Sequence, residues 1–392
     1  MDHDVVIIGG GPSGLSTALH LHRIAPHLSQ RILILEKKHY PRPKLCAGGL
    51  TIDAEIILER LGLDVNEVPH VFADDIHFDF EAKGLRVRMP KRHALRVIRR
   101  DEFDNWLAEK VRELGIEIRE GVIVKNVTTQ NNNVIIETDQ GTFHAQIAVG
   151  ADGSNGVTRR CVLPKESVYT ARVLEVITRP QPTSMLSGAL AKSKHEGERE
   201  GHAFFEFSPV PNNIAGYVWD FPTQIKGEAM RCWGIYDTNI LANGKRPQLK
   251  EPLAQEMNRL GFDLSNYDIK GHPIRWFSPE NQMAVPRVLL VGDAVGTDPI
   301  FGEGISIALG YGKLAAQEIS ESIQHGEYSF HRFKRRVVRS ALGQTLIARW
   351  VIANIIYSIK WRWFQILLWR VLKPIVLLVA WVYVLNWGKR LK

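Results

Sequence analysis

Residues 4–14 constrain the fold of this 392-residue chain more than any other stretch. Asp4–Ile8 (DVVII) is a short, nearly all-apolar run, the pattern of a strand buried on both faces of a parallel sheet. It runs directly into Gly9-Gly10-Gly11-Pro12-Ser13-Gly14, which fits G-x-G-x-x-G, and a helix is expected over about residues 13–23. Arg31–Leu35 (RILIL) reads as a second parallel strand, closed by Glu36. Strand, glycine turn, helix and strand with a terminal acid make a βαβ unit suited to a dinucleotide. Gly9 permits the tight turn, and Gly11 lets a pyrophosphate approach the N–H groups at the helix N-terminus. Gly14 lets helix and strand pack closely, and Glu36 is placed to accept from the adenosine ribose hydroxyls. Alone, the motif does not separate FAD from NAD.

Two further glycine turns follow buried strands. Phe143–Val149 leads into Gly150-Ala151-Asp152-Gly153, and Val288–Val291 (VLLV) into Gly292-Asp293-Ala294. Both lie at strand C-terminal ends, where open α/β sheets bind ligands. An Asp at position 293 suits a ribityl hydroxyl, and the turn after it offers N–H donors to phosphate. Each Gly-Asp pair taken singly is common turn chemistry; three such turns behind three buried strands point to one cofactor site. Asp298-Pro299-Ile300-Phe301-Gly302-Glu303-Gly304-Ile305 then forms a rigid loop entering a helix over about 304–325. A helix N-terminus aimed at a flavin pyrimidine ring stabilises the negative charge that reduction places near N1.

Strand-rich stretches near 70–98 and 165–278 interrupt these segments. The expected architecture is α/β: a Rossmann-like FAD-binding domain with an interleaved mixed or antiparallel-sheet substrate domain and a C-terminal helical, membrane-associating tail. The expected bounds are 1–65, 99–165 and 280–328 for the cofactor domain, 66–98 and 166–279 for the substrate domain, and 329–392 for the tail. Tyr217, Trp219 and Phe221, spaced i, i+2, i+4, share one face of a strand. That face is either the wall of a long apolar pocket or plain sheet core. Three scattered cysteines and no zinc-like Cys/His spacing predict neither disulfides nor a structural metal, and a reducing compartment. No basic n-region precedes the first strand, so no secretory signal is expected.

From Tyr328 onward there are 13 Lys and Arg, no Asp or Glu, and six of the ten tryptophans; the residues before it are net acidic. Basic and Trp residues flanking the apolar runs Ile347–Ile359 and Ile375–Trp387 favour an anionic lipid surface over nucleic acid. Leu342–Ile359 is interrupted by Arg349, and Trp363–Trp387 by Arg370 and Lys373-Pro374, so neither makes a clean span of about 20 apolar residues. A peripheral or monotopic anchor on the cytoplasmic side is expected, with one or two spans or a buried helical cap as alternatives.

The order of the three turns resembles the p-hydroxybenzoate hydroxylase-like FAD-dependent oxidoreductases, marked by an N-terminal GxGxxG, a central DG and a late GD motif. Arg99-Arg100-Asp101-Glu102-Phe103-Asp104 is similar to that group's R-x-x-F-D segment. The resemblance implies FAD as cofactor and Arg100 as a contact to it, unless Arg100 is an ordinary helix-start arginine. Gly156 stands where the DG segment often has Ser. Within the group, Pro43–Leu50 (PKLCAGGL) is similar to the K-x-C-G-G segment of the geranylgeranyl reductase family, with Ala47 at a usual Gly. Gly216–Pro222 (GYVWDFP) matches that family's Y-x-W-x-F-P pattern, and Gly302–Ile305 its G-E-G-I loop.

This second resemblance implies reduction of C=C bonds in a geranylgeranyl or other isoprenoid lipid by hydride from reduced FAD. Further FAD contacts are expected from Pro12, Ser13, Lys37, Cys46, Ala47, Val124, Asp152, Gly153, Pro299 and Ile305. Gly302, Glu303 and Gly304 would surround the flavin ring, and Tyr217, Trp219 and Phe221 the substrate. Cys46 is either a redox or proton-handling thiol or a small packed residue. A second GxGxxG is absent, so electrons are expected from NAD(P)H or a ferredoxin-like donor. The W-x-W-x-I-P segment of flavin-dependent halogenases is absent too. An FAD monooxygenase of an apolar substrate and a non-redox flavin isomerase or cyclase are the alternatives on this scaffold, and no general acid stands out.

Overall fold

The computed structural model describes residues 3–130, 132–166, 170–180, 199–240 and 247–391. The chain opens with β1 (His3–Ile8), α1 (Pro12–Ile24) and β2 (Ile32–Glu36). β3 (Gly49–Leu50), α2 (Ile52–Arg60), β4 (His70–Ala73), β5 (Asp75–Phe80), β6 (Lys83–Arg88) and β7 (Leu95–Ile98) follow. α3 (Arg100–Glu113) leads to β8 (Glu117–Glu120), β9 (Val124–Gln130), β10 (Asn133–Thr138), β11 (Gly141–Gly150) and α4 (Val157–Val162). The long insertion holds β12 (Thr170–Thr178), β13 (His202–Glu206), β14 (Gly216–Ile225), β15 (Glu228–Asp237), α5 (Lys250–Arg259) and β16 (Lys270–Arg275). β17 (Ala284–Val285), β18 (Val288–Leu290) and α6 (Ile305–His325) return to the first unit. α7 (Phe333–Arg339), α8 (Ala341–Ser358), α9 (Arg362–Ile366), α10 (Lys373–Val379) and α11 (Trp387–Arg390) make the tail.

The first sheet runs β17-β18-β11-β1-β2-β8, with β18, β11, β1, β2 and β8 parallel. Strand alternation sends Val5 and Ile7 to a core shared with α1 and α6, and Val6 and Ile8 to a second core under β9 and β10. This is why the all-apolar runs form central strands: both faces are covered.

The second sheet runs β16-β12-β15-β14-β13-β5-β6 and is antiparallel except for β13 beside β5. One face of β14 carries Tyr217, Trp219 and Phe221 into a cluster with Phe205 and Tyr236. The other carries Val218 into a cluster with Trp233, Ile235 and Leu253. Residues 66–98 do not all join it, as the sequence bounds implied. β5 and β6 do, whereas β4 and β7 pair with β3 in a separate three-stranded sheet. β7 hands the chain directly to α3, which ties it to the cofactor side.

The tail divides. In α8, Leu342, Leu346, Arg349, Ala353 and Tyr357 form a buried stripe at helical spacing. α11 returns to the first core: Trp387 is fully buried there, Gly388 N–H donates to Asp53 (2.8 Å), and Arg60 donates to the carbonyls of Gly388 and Leu391 (both 2.8 Å). These two helices are therefore a cap on the globule rather than the interfacial segment the composition predicted. Between them, Trp361, Trp363, Leu378, Trp381 and Tyr383 are each more than half exposed. Among the described residues no single helix is long and apolar enough to cross a membrane; 362–371 and 373–390, bent by 78°, pass that test only as a pair.

Candidate functional site

β1, β11 and β18 end at one edge, and their three turns meet there. Gly9 has φ +108, and a Cβ on it would lie 2.4 Å from the Ala151 carbonyl oxygen beside Asp152. A Cβ on Gly292 would lie 2.6 Å from Ser13 Oγ. Segments that begin at residues 9, 150 and 292 thus line a single crevice.

The donors in that crevice fit a dinucleotide. α1 starts at Pro12 behind an N-cap Gly11 with no side-chain cap, which leaves the first N–H groups, of Ser13 and Gly14, for an anionic ligand. A Cβ on Gly11 would meet only Arg42 Nη2, at 3.8 Å, so the phosphate approach is open and has a cation beside it. Arg42 Nη2 also lies 3.2 Å from Asp104 Oδ2 and donates to the Gly10 carbonyl at 3.1 Å. Sequence reading missed this arginine; it lies between Pro41 and Pro43, outside any motif. Arg100, the arginine selected instead, is half-buried and forks onto Asp104 through Nε (2.8 Å) and Nη2 (2.9 Å). Glu36 is buried, accepting from Gly10 N–H (2.9 Å) and Lys38 N–H (3.0 Å), so it braces the glycine turn.

Asp152 Oδ2 accepts from the Thr158 N–H (2.9 Å) and hydroxyl (3.0 Å), which ties it to the first turn of α4. Burial raises this carboxyl, with the Thr158 bonds opposing. A Cβ on Gly156 would come within 2.1 Å of Asp152 Oδ1, so glycine at the position where Ser was expected admits this carboxylate. Gly153 turns the chain beside it with φ +82. Asp293 is half-buried and acts on Lys44, Arg100 and His272. Lys44 Nζ is 2.5 Å from His272 Nε2 and joins the cofactor loop to β16. Burial lowers the Lys44 amine below its ordinary range, and burial followed by Lys44 lowers His272 to about 4.

Cys46 is half-buried against the first core, and Ala47 packs on the aromatic cluster, so their loop joins the two sheets. Two expected contacts are placed less favourably. Lys37 is exposed beyond Glu36, and the Val124 side chain packs in the core on the far face of the parallel sheet.

The loop from Asp298 to Ile305 is held on both sides. The Tyr217 hydroxyl donates to the Phe301 carbonyl, and the Tyr236 hydroxyl to the Pro299 carbonyl (3.3 Å). Asp298 is fully buried and accepts from Ile300 N–H (2.8 Å) and from Arg349 Nη1 (2.9 Å). Glu303, expected beside the flavin ring, has its carboxylate tied to Thr51 (2.7 Å), Ser306 and Arg349. Burial pushes that carboxyl up, but the Arg349 guanidinium and the Ser306 and Thr51 hydroxyls together outweigh it and hold Glu303 below the usual range. Gly302 and Gly304 then present backbone at the start of α6, with Ile305 buried behind them. Arg349 was legible only as a charge interrupting the tail. The aromatic face is closely packed: Phe205 meets Phe78 (5.0 Å) and Phe221 (5.1 Å), and Trp369 of the tail stacks on Phe207 (4.2 Å).

A family model described as FAD binding domain matches residues 2–326. An uncharacterised protein of Methanosarcina barkeri is 29% identical over 355 residues, covering 89% of this chain and 82% of that protein. A digeranylgeranylglycerophospholipid reductase of Thermoplasma acidophilum is 26% identical over 388 residues, 89% of this chain and 86% of the relative. Among solved structures, a geranylgeranyl bacteriochlorophyll reductase-like protein of Thermoplasma acidophilum superposes with a TM-score of 0.76 at 20% identity, over 99% of this chain and 98% of that one. The structural likeness is one of fold.

Proposed function

The chain belongs to the FAD binding domain family and is an FAD-dependent oxidoreductase, and from that premise we propose that it reduces C=C bonds of a geranylgeranyl or other isoprenoid lipid. The observation that carries this reading is the direct seating of the aromatic face of β14 on the loop that ends the cofactor crevice, through Tyr217 and Phe301. A polyprenyl chain needs such a wall, since each buried CH₂ contributes about 0.8 kcal/mol. The similarity to a digeranylgeranylglycerophospholipid reductase of Thermoplasma acidophilum supports the same substrate class.

FAD, when bound, supplies the hydride. The chain's own residues bind and orient. Ser13 and Gly14 N–H groups and Arg42 would hold the pyrophosphate, and the Gly302–Gly304 backbone with the α6 N-terminus would face the ring. Tyr217, Trp219 and Phe221 hold the lipid and exclude water from it. Electrons come from outside the chain, from NAD(P)H or a ferredoxin-like protein. Anaerobic incubation of reduced, FAD-loaded protein with geranylgeranyl lipid is expected to add the mass of H₂ for each bond reduced. A gain of one oxygen atom under aerobic turnover, or an unchanged mass, sinks the reductase reading in favour of an oxygenase or an isomerase.

The exposed segment between α8 and α11 is the part that docks on a membrane, on its cytoplasmic face, with Lys360, Arg362 and Lys373 among its tryptophans to meet anionic headgroups. The protein is expected to sediment with anionic vesicles, and Trp361→Asp with Trp381→Asp to weaken that by about tenfold or more. Sedimentation unchanged by both substitutions argues against this docking surface.

A further inference from the structure

Cross-strand pairing lays one straight row over the aromatic face: Phe78, Phe205, Trp219, Gly234, Glu175 and Lys270, from β5, β13, β14, β15, β12 and β16. Directly paired residues share a face, so the Glu175 carboxyl belongs to the surface that carries the rings. A Cβ on Gly234 would lie 2.1 Å from the Trp219 ring, so the indole lies across Gly234 and only that glycine separates it from Glu175. Glu175 is 8% exposed, and its Oε2 has no hydrogen-bond partner among the described residues. The Cys46 backbone N–H acts on this carboxyl to lower it, so the Cys46 loop lies close to Glu175. At the other end of the row, Lys270 is exposed on the edge strand.

We propose that Glu175 is the proton donor to the double bond being reduced, a role that rests on the reading of the chain as an alkene reductase. The reduced flavin gives a hydride, with both electrons, to one alkene carbon and is oxidised. The Glu175 O–H bond breaks, and its proton forms the C–H bond at the neighbouring carbon. The π bond is consumed, and the carboxylate left behind retakes a proton from water at the Lys270 edge.

Protonation at neutral pH fits the surroundings. Burial pushes Glu175 up to about 7, against the lowering by Arg99, the Cys46 N–H, Lys270 and Lys44. The other groups facing it are neutral: burial holds the Cys232 thiol un-ionised, and His272 is lowered to about 4. For an acid raised in this way, the donor form is present below about pH 7 and is lost as pH rises through that value.

The test compares wild type with Glu175→Gln, both loaded with FAD, reduced anaerobically and given geranylgeranyl lipid. Glu175→Gln is expected to form product at least about a hundredfold more slowly, with flavin uptake and melting unchanged. A wild-type rate that falls about tenfold per pH unit above neutrality is the second expectation. Independently of turnover, the infrared difference between the two apoproteins should show an un-ionised carboxyl band below pH 7 that fades above it. A Gln variant as fast as wild type overturns the proposal and leaves the reductase reading standing. Wild type that reduces no alkene removes that reading and this one with it. Should the Gln variant fail to fold, Glu175→Asp and the wild-type pH profile decide; a profile flat from about pH 6 to about 9 overturns the role.

Discussion

Replacing Arg349 with methionine is expected to destabilise the folded chain by about 3–5 kcal/mol, visible as a lower urea midpoint. The guanidinium is about as buried as a charge becomes, at 1% exposure, and it answers Asp298 at 2.9 Å and Glu303. It also donates to the Val384 carbonyl at 2.9 Å, which pins the chain just before α11. Without it, two buried carboxylates keep their N–H and hydroxyl donors but lose their counter-charge, and that is costlier than the pair was stabilising. The same logic predicts rescue: adding Asp298→Asn and Glu303→Gln to the methionine variant recovers part of the loss. A methionine variant with an unshifted midpoint shows that water reaches the cluster and that the network holds nothing. Flavin retention should fall with stability, because the loop fixed by Asp298 and Glu303 is the one that leads into α6.

Gly14→Ala is expected to give protein that purifies colourless. The new Cβ would lie 2.1 Å from the Gly9 carbonyl oxygen, 3.1 Å from Ile7 and 3.2 Å from Ala151. Backbone and core atoms surround it, so α1 must lift off β1, at a strain of about 1–3 kcal/mol. That movement displaces the N–H groups of Ser13 and Gly14. Losing two charge-assisted hydrogen bonds, at about 1.5–3 kcal/mol each, weakens flavin retention by about a hundredfold or more. Gly11→Ala is the contrast. Its Cβ meets only Arg42 at 3.8 Å, so the apoprotein should melt like wild type and lose affinity alone. Bright yellow Gly14→Ala protein in fluorescence-quantified stoichiometry refutes the assignment of the crevice.

What the chain discloses by itself follows the range of the interaction. The unit from β1 to β2 is local, and its glycines, buried runs and terminal Glu36 carry the whole argument within about 30 residues. The period of two likewise placed Tyr217, Trp219 and Phe221 on one face without knowledge of their partners. Arg42, Glu175 and Arg349 were invisible because their meaning lies in what faces them. Glu175 needs the Cys46 loop and the Trp219 ring, and Arg349 needs a loop some 50 residues earlier. β4 and β7 lie in the same strand-rich stretch as β5 and β6, and a strand pattern does not say which sheet a strand joins. The tail misled through averaging: Trp361, Trp363 and Trp381 describe the surface between α8 and α11, while one buried stripe, Trp369 and Trp387 describe the parts that pack on the globule.

Rooting at both ends changes the mechanics of that exposed segment. A leash attached once lets a body swivel over whatever it grips; a handle fixed at two points transmits tilt. With α8 locked through Arg349 and α11 locked through Trp387 and Arg60, any surface that grasps the segment between them also sets the heading of the whole globule, and with it the direction in which the mouth of the crevice opens.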